Sequence, residues 1–355
     1  MRSEKQFSKK IFMISLLILN CIHRKENIFS RGLYRIDTGT APKAEECRTC
    51  HKEIYREWNS SRHRVSYTNE LFQKAYAKEK MDWCVNCHSP VQSSDRNKIE
   101  LNAEGISCTA CHIRDSKILS GKFSGKGTEH SFQKSKSVTG SEFCGNCHQF
   151  NFPSQKSTES EIHYSNLPMQ NTYREWQNSY FADRKTCQDC HMPFVKNSEG
   201  IQYRSHTFPG GHDHEYLRKS FSVELNRLEN GIWELILTGK SIGHAFPTGD
   251  LFRNLEIRFL DRKNQELEKV ILRYDYIRNN DKNIDSPRKK LFKKEILTEP
   301  LNSENSVWHK FIRSDELKNA EFYELLLNFI SPAEIAQDDF SEPVSILIKK
   351  ERLQK

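Results

Sequence analysis

The stretch CRTCHKEIYREWNSSRH, residues 47–63, begins with a pattern that recurs four more times along the chain. In each copy two cysteines are separated by two residues and followed at once by a histidine. The cysteine pairs are Cys47/Cys50, Cys84/Cys87, Cys108/Cys111, Cys144/Cys147 and Cys187/Cys190. The histidines that follow them are His51, His88, His112, His148 and His191. The five motifs use all but one of the 11 cysteines, which indicates one chemical function repeated five times.

The spacing within each motif fits covalent attachment of haem. Two thiols separated by two residues can add to the two vinyl groups on one edge of a porphyrin, and the next side chain then reaches the iron. Zinc ribbons also use C-x-x-C pairs, and exported proteins use cysteines in disulfides. Neither alternative requires a histidine after every second cysteine. With 14 histidines in 355 residues, five such coincidences have a chance on the order of 10⁻⁷. The motifs therefore predict five covalent haem c groups, with the motif histidines as proximal iron ligands.

Candidates for the second, distal iron ligand come from histidines outside the motifs. His63 ends a helix-like run that follows the first motif, where one stripe of the helix can lie against a porphyrin. His206 and His212 flank a Pro-Gly-Gly turn, which can present two imidazoles in different directions. His214 is expected to be a solvated neighbour of this pair. For each residue the alternative is a packed or solvated histidine.

Two further candidates lie in loops. His130 stands between the third and fourth motifs, and its alternative is a solvated loop residue. His244 lies in the run GHAFPTG, from which it could reach a haem; its alternative is a histidine that caps the backbone of a connecting loop. His163 and His309 are expected at the surface or in packing. No methionine has a context that favours ligation, so low-potential bis-histidine coordination is the expectation.

The run YREW at 55–58 recurs at 173–176, and the position equivalent to His63 is then occupied by Phe181. This echo predicts a duplicated helix that has lost its ligand. The haem near it would take a ligand from elsewhere or keep an open position. A coincidental amphipathic helix is the alternative.

The N-terminus has the pattern of an export signal. Residues 1–20 contain four basic side chains followed by an apolar run that is too short to span a bilayer. The run LILNC is similar to a lipobox, so Cys21 is expected to receive a lipid at the start of a flexible tether, residues 21–45. The alternative is an ordinary signal or an uncleaved anchor with an inert Cys21. The expectation is an exported, membrane-anchored lipoprotein on the periplasmic or outer-surface side.

The combination of CRTCHKEIYREWNSSRH, EFCGNCHQF, TYREWQNSYFADRKTCQDCHMP and SHTFPGGHD resembles the family of the tetrahaem cytochrome c that accepts electrons from hydroxylamine oxidoreductase. The resemblance covers roughly residues 45–215. It implies closely stacked haems, mostly with bis-histidine ligation, and in some members one five-coordinate iron. It also implies a distal role for His63 and for one of His206 and His212. The fifth motif and a C-terminal extension depart from the tetrahaem pattern, which leaves the assignment of ligands to haems open.

Two domains are predicted after the tether. About 170 residues, 46–215, would hold five haems and leave little chain for an ordinary core, so the porphyrins would form the core among short helices and irregular loops. Residues 216–355 lack cysteine and are expected to form an all-β, sandwich-like domain. The strand-like runs are FSVELNR, IWELILT, LEIRFL, LEKVILRYDY, SVWHKFI, FYELLLNF and VSILIKK. The predicted fold class is a mainly α and irregular cytochrome domain followed by a β-sandwich.

The charge argues against nucleic acid as a partner. The formal net charge is +8, of which residues 1–20 contribute +3, leaving +5 for the mature chain. Each ferric haem with ionised propionates adds about −1, so the loaded protein would be near neutral. Two functions remain open. One is electron transfer between a membrane quinol-linked donor and a soluble partner or terminal reductase. The other is an oxidoreductase with one open iron that acts on a small nitrogen or sulfur compound.

Overall fold

The structure is a computed structural model. It describes residues 36–38, 40–78, 80–121, 125–126, 130–153, 164–249, 253–277, 290–329 and 344–353. The predicted signal, Cys21, most of the tether and His163 lie outside these ranges. Within the described ranges, none of the helices has the length and apolar character needed to cross a membrane.

The helices of the structure are short, and each of the five motifs begins in one of them. In order they are α1 (Ala44–Arg48), α2 (Lys52–Asn59), α3 (Glu70–Lys78), α4 (Asp82–His88), α5 (Lys98–Glu104), α6 (Cys108–His112), α7 (Ser141–His148), α8 (Thr172–Gln177), α9 (Cys187–His191) and α10 (His214–Ser220). Four motifs end a helix at their histidine, and the first runs from α1 to the residue before α2. Residues three apart lie on one face of a helix, so each helical motif presents both thiols on the same side.

Short strands also occur between the motifs, where the sequence predicted little sheet. They are β1 (Ile36–Asp37), β2 (Val91–Gln92), β3 (Ile113–Arg114), β4 (Lys117–Ser120), β5 (Gly125–Lys126), β6 (Ser131–Lys134), β7 (Phe150–Pro153), β8 (Tyr164–Gln170), β9 (Phe194–Lys196) and β10 (Gln202–Arg204). The largest sheet among them has the order β3-β4-β6-β5. This sheet positions His130, which immediately precedes β6.

The strands that follow α10 form two antiparallel sheets. They are β11 (Phe221–Arg227), β12 (Ile232–Lys240), β13 (Arg253–Leu260), β14 (Glu266–Ile277), β15 (Lys290–Glu295), β16 (Asn305–Arg313), β17 (Phe322–Phe329) and β18 (Val344–Arg352). The sheet orders are β11-β12-β16 and β15-β14-β13-β17-β18. All seven predicted strand runs are confirmed as strands, and β15 is a strand that the pattern did not indicate.

One hydrophobic core lies between these two sheets. Burial alternates along β12, where Leu235 and Leu237 are buried, whereas most residues of β13 are buried, including Leu255 and Ile257. Full burial of such a side chain stabilises the fold by about 1.5–3 kcal/mol. The turn between β11 and β12 is tight because Asn230 and Gly231 adopt φ of +60° and +71°, which asparagine and glycine tolerate best.

The described part of the motif region has much less aliphatic core. Its buried hydrophobic cluster consists of Ala41, Val91, Leu101 and Ala110. The sequence predicts this shortage, because side chains that surround large prosthetic groups cannot also fill the interior.

Candidate haem-binding centre

A single large cavity is lined by all five motifs. Its volume is about 1860 Å³, and all ten motif cysteines and five motif histidines line it. A pocket for one small-molecule ligand typically occupies about 300–1,000 Å³, so this cavity has room for several large groups. The further histidines in its wall are His63, His130, His206, His212 and His244.

Four motif histidines face a second imidazole across this cavity. The ring centroids lie 6.3 Å apart for His51 and His130, 6.5 Å for His148 and His63, 6.2 Å for His112 and His206, and 6.3 Å for His191 and His244. A metal–imidazole bond is about 2 Å long. Adding about 1.1 Å from nitrogen to ring centroid on each side places the centroids of two imidazoles on opposite faces of one metal about 6.2 Å apart. The four separations match this value.

The orientation of the rings fits the same chemistry. In five imidazoles Nδ1 donates to a backbone carbonyl: His88 to Ser66 (2.7 Å), His112 to Leu119 (3.0 Å), His191 to Pro209 (2.6 Å), His206 to Arg204 (2.8 Å) and His244 to Ala245 (2.9 Å). Because a carbonyl can only accept, Nδ1 must carry the proton in these rings. The lone pair of Nε2 is then available for a metal.

Burial keeps three of the paired imidazoles neutral. Desolvation, reinforced by neighbouring histidines, lowers the pKa of His63 to about 3. Desolvation is also the main cause that lowers the pKa of His148 and of His206 to about 4. His148 has accessible surface, but that surface lines the cavity and protein atoms surround the ring. A histidine must be neutral to bind a metal, so these rings are in the competent form.

The protein alone does not complete a metal site here. Across the ranges that the structure describes, no group of three or more His, Cys, Asp or Glu side chains could hold a metal ion. Two opposed imidazoles suit a metal whose other four ligands come from a macrocycle. The thiols of all ten motif cysteines are free rather than paired in disulfides. The residues present therefore fit haem.

Known proteins support this interpretation. The family described as "Cytochrome c554 and c-prime" matches residues 46–113. A penta-heme cytochrome c552 from Thermochromatium tepidum has a similar fold, with a TM-score of 0.61. That match covers 88% of this chain and 99% of the other chain at 17% sequence identity. Residues 46–113 thus resemble a cytochrome c family, and the chain shares the fold of a multihaem cytochrome c. The predicted resemblance to multihaem cytochromes c is confirmed at this level.

The remaining comparisons add nothing to this interpretation. No curated protein matches its sequence. A β-glucuronidase from Bifidobacterium dentium, solved with coumarin-3-O-glucuronide, matches 38% of this chain and 16% of the other at 11% identity. Its TM-score of 0.17 is too low to indicate a shared fold.

Several motifs lie close to one another at their cysteines. The thiols of Cys47 and Cys108 interact, which brings the first motif beside the third. In the same way Cys87 and Cys147 bring the second beside the fourth, and Cys144 and Cys187 bring the fourth beside the fifth. All five attachment segments line the same cavity.

Of the candidate distal residues, His212 is the one that the structure places differently from the pairs above. Its ring stacks on Phe329 of β17, with centroids 4.4 Å apart and planes 16° apart. The motif histidine His88 likewise stacks on an aromatic ring, Phe72 of α3, at 3.8 Å and 15°. His214 is exposed on α10, and His309 is exposed on β16, where its Nδ1 lies 3.0 Å from Glu234.

The sequence identified the paired histidines as candidates but not their partners. His63 follows the first motif in the chain, yet it faces His148 of the fourth. His244 comes from the β12–β13 connection and faces His191 of the fifth motif. No local signal could have revealed these pairs, because each depends on how distant segments pack.

Proposed function

We propose that this cytochrome transfers electrons through five covalent haem c groups, which the ten motif cysteines attach and the five motif histidines ligate. The observation that carries the proposal is the set of four imidazole pairs at 6.2–6.5 Å. In this proposal the distal ligands of the first, fourth, third and fifth motifs are His130, His63, His206 and His244, and the ring separations support these four choices. Haem iron held in this way accepts and donates single electrons.

Closed coordination favours a relay over an enzyme. Where two imidazoles hold the iron, no position remains for a substrate, and the ligands stay the same in both oxidation states. Two histidine ligands also favour a lower potential than a histidine and a methionine. The single cavity lined by all five motifs supports the relay, because single electrons can then pass between neighbouring sites without leaving the protein.

The two parts of the chain have separate roles in this proposal. A pentahaem unit, residues 46–215, holds the attachment sites, and a β-sandwich unit, residues 216–355, follows it. The second unit supplies His244 from the loop after β12. Support comes from the two antiparallel sheets after α10 and from the position of His244 in the cavity wall.

Export and anchoring complete the proposal. The basic and apolar N-terminal pattern supports export, and Cys21 would carry a lipid that holds the protein at a membrane, on its periplasmic or outer-surface side. A membrane quinol-linked donor or a terminal reductase is then the expected redox partner, and nucleic acid is not. Covalent haem attachment suits such an oxidising compartment.

Electron paramagnetic resonance of the air-oxidised protein tests the proposal, with haem counted by the pyridine haemochrome method. Five haems per chain with at least four low-spin ferric signals are expected. A uniformly low-spin protein supports the relay throughout. A high-spin component of about one haem per chain would favour the alternative oxidoreductase at that haem, and trials with hydroxylamine, nitrite and sulfite should follow. Absence of covalent haem would contradict the whole proposal.

A further inference from the structure

The repeated YREW run forms two helices of the same local geometry. The first copy lies in α2 and the second in α8. The residues that immediately follow them, Ser60 and Asn178, have φ/ψ of −88°/−7° and −88°/−6°. One turn of chain then follows with the same backbone hydrogen bond, from Ser61 N–H to Trp58 in the first copy and from Ser179 N–H to Trp176 in the second. The echo in the sequence is therefore a structural repeat.

The tryptophan of each copy holds the segment that leads into a motif. The indole N–H of Trp58 donates to the carbonyl of Ile106 at 2.8 Å. That of Trp176 donates to the carbonyl of Lys185 at 2.9 Å. Each accepting carbonyl lies two residues before the first cysteine of a motif, the third in one case and the fifth in the other. The two bonds are thus equivalent in position as well as in length.

The glutamate of the first copy holds the segment that carries a distal histidine. Glu57 accepts the backbone N–H of His206 with Oε2 and the hydroxyl of Tyr203 with Oε1, both at 2.8 Å. His206 is the imidazole that faces His112 of the third motif. Helix α2 therefore contacts both sides of this pair. Trp58 holds the segment that leads into the third motif, and Glu57 holds the segment that carries His206.

The glutamate of the second copy makes the equivalent connection to the fifth motif. Glu175 is buried, and its Oε2 accepts the hydroxyl of Thr248 at 2.7 Å. Thr248 lies in the loop of His244, whose ring faces His191 of the fifth motif. Helix α8 therefore contacts both sides of the His191–His244 pair, through Trp176 on one side and Glu175 on the other.

Phe181 explains why the second copy lacks a histidine. It is buried, and a Cβ placed on Gly243 would lie 3.4 Å from its ring. It therefore packs against the loop immediately before His244. The position of His63 in the first copy is thus occupied in the second by Phe181, which packs beside His244.

We propose that each YREW helix is a clamp that sets the distance between the two axial ligands of one haem. Trp58 and Trp176 hold the proximal segments, and Glu57 and Glu175 are positioning residues for His206 and His244. The clamp rests on the histidine ligation proposed above, and it adds two glutamates that are not part of the cavity wall. Its consequence is selective: loss of one glutamate affects one identified haem and leaves the others unchanged.

The test combines each glutamate variant with each histidine variant and counts high-spin haem by electron paramagnetic resonance. Glu57→Ala alone is expected to give a partial high-spin signal of less than one haem per chain. In the His206→Ala background it adds nothing, because that haem has already lost its ligand. In the His244→Ala background it adds its own contribution. Glu175→Ala shows the reverse pattern, with no addition to His244→Ala.

Conservative variants and matched controls separate positioning from general damage. Glu175→Gln keeps an oxygen that can accept from Thr248, so the wild-type spectrum is expected. Glu57→Gln keeps one of two bonds and gives an intermediate signal. The exposed residues Arg56 and Gln177 lie on the same helices, and their alanine variants should leave the spectrum unchanged. Haem content by pyridine haemochrome shows that each variant is fully loaded.

Two results overturn the clamp in distinguishable ways. If His206→Ala and His244→Ala each create one high-spin haem but the glutamate variants do not, or add equally in both backgrounds, the clamp is wrong and the ligation stands. If the histidine variants leave every haem low-spin, the proposed ligation itself fails and the clamp fails with it.

Discussion

The imidazoles of His191 and His244 lie 6.3 Å apart with their planes within 10° of each other. One belongs to the fifth C-x-x-C-H motif, and the other to the loop that leaves the three-stranded sheet. Their Nδ1 atoms both donate to backbone carbonyls, which directs both Nε2 atoms away from those carbonyls. A strand connection of the β-sheet region thus completes a pair that begins in the motif region, and the two regions share one centre.

Replacing His244 by methionine should raise the potential of one haem. A thioether ligand stabilises ferrous iron more than an imidazole does, so an upward shift on the order of 0.1 V is expected for that haem alone. Potentiometric titration with optical detection measures it. Potentials identical to those of the wild-type protein would show that His244 is not a ligand.

The variant His130→Ala should convert one low-spin haem to high-spin. His130 faces His51 of the first motif at 6.3 Å and stands before β6 in a small sheet, so its loss should change the ligand without removing a core residue. Millimolar imidazole should restore the low-spin spectrum by filling the open position. His309→Ala is the control, because that exposed residue lies on β16 beside Glu234. Equal spectra for both variants would contradict the assignment.

Removing both thiols of one motif should remove one haem. The double variant Cys187→Ala, Cys190→Ala is expected to retain four covalent haems, measured by pyridine haemochrome and by the mass of the intact chain. Cys21→Ser is the matched control: it should keep all five haems but shift the protein from the membrane fraction to the soluble fraction. A Cys21 variant that stays in the membrane fraction would refute lipid anchoring at this residue.

Stability should fall on mild acidification. Burial depresses the pKa of His63, His148 and His206 to about 3, 4 and 4, whereas an unfolded histidine has a pKa of about 6.5. Below that value the unfolded chain binds protons that the folded chain does not, so the free energy of unfolding decreases as the pH falls. Denaturant titrations of the loaded protein from pH 7 to pH 5, where exposed carboxylates remain ionised, measure this. The His206→Ala variant should show a shallower decline, and a flat wild-type profile would contradict the burial of neutral imidazoles.

The sheet-to-sheet core should be sensitive to truncation. Leu235 is fully buried between the sheets, so Leu235→Ala is expected to cost about 2–5 kcal/mol of unfolding free energy. Far-ultraviolet circular dichroism during denaturation measures the loss. Leu301 is 65% exposed, and Leu301→Ala should be within about 0.5 kcal/mol of the wild-type protein. Similar losses for both variants would show that Leu235 is not in a packed core.

The YREW repeat predicts a duplicated helix correctly but does not predict what the second helix contacts. The substitution of Phe181 at the position of His63 suggested a helix that had lost a ligand. In the structure that helix contacts both sides of the His191–His244 pair instead. The contacts are hydrogen bonds from Trp176 to the carbonyl of Lys185 and from Thr248 to Glu175. Sequence periodicity does not reveal either bond, because both partners lie outside the helix.

By itself the sequence determined what is encoded locally. Haem attachment chemistry is contained within five consecutive residues, so each C-x-x-C-H motif predicted its own cysteines and proximal histidine. Alternation of apolar residues is likewise a property of a single strand, and the seven runs it predicted are strands. Only the tertiary structure decided which histidines face each other, with His63 opposite His148 and His212 against Phe329. The physical reason is that each facing pair brings together two segments far apart in the chain. Their contact depends on how the intervening segments pack.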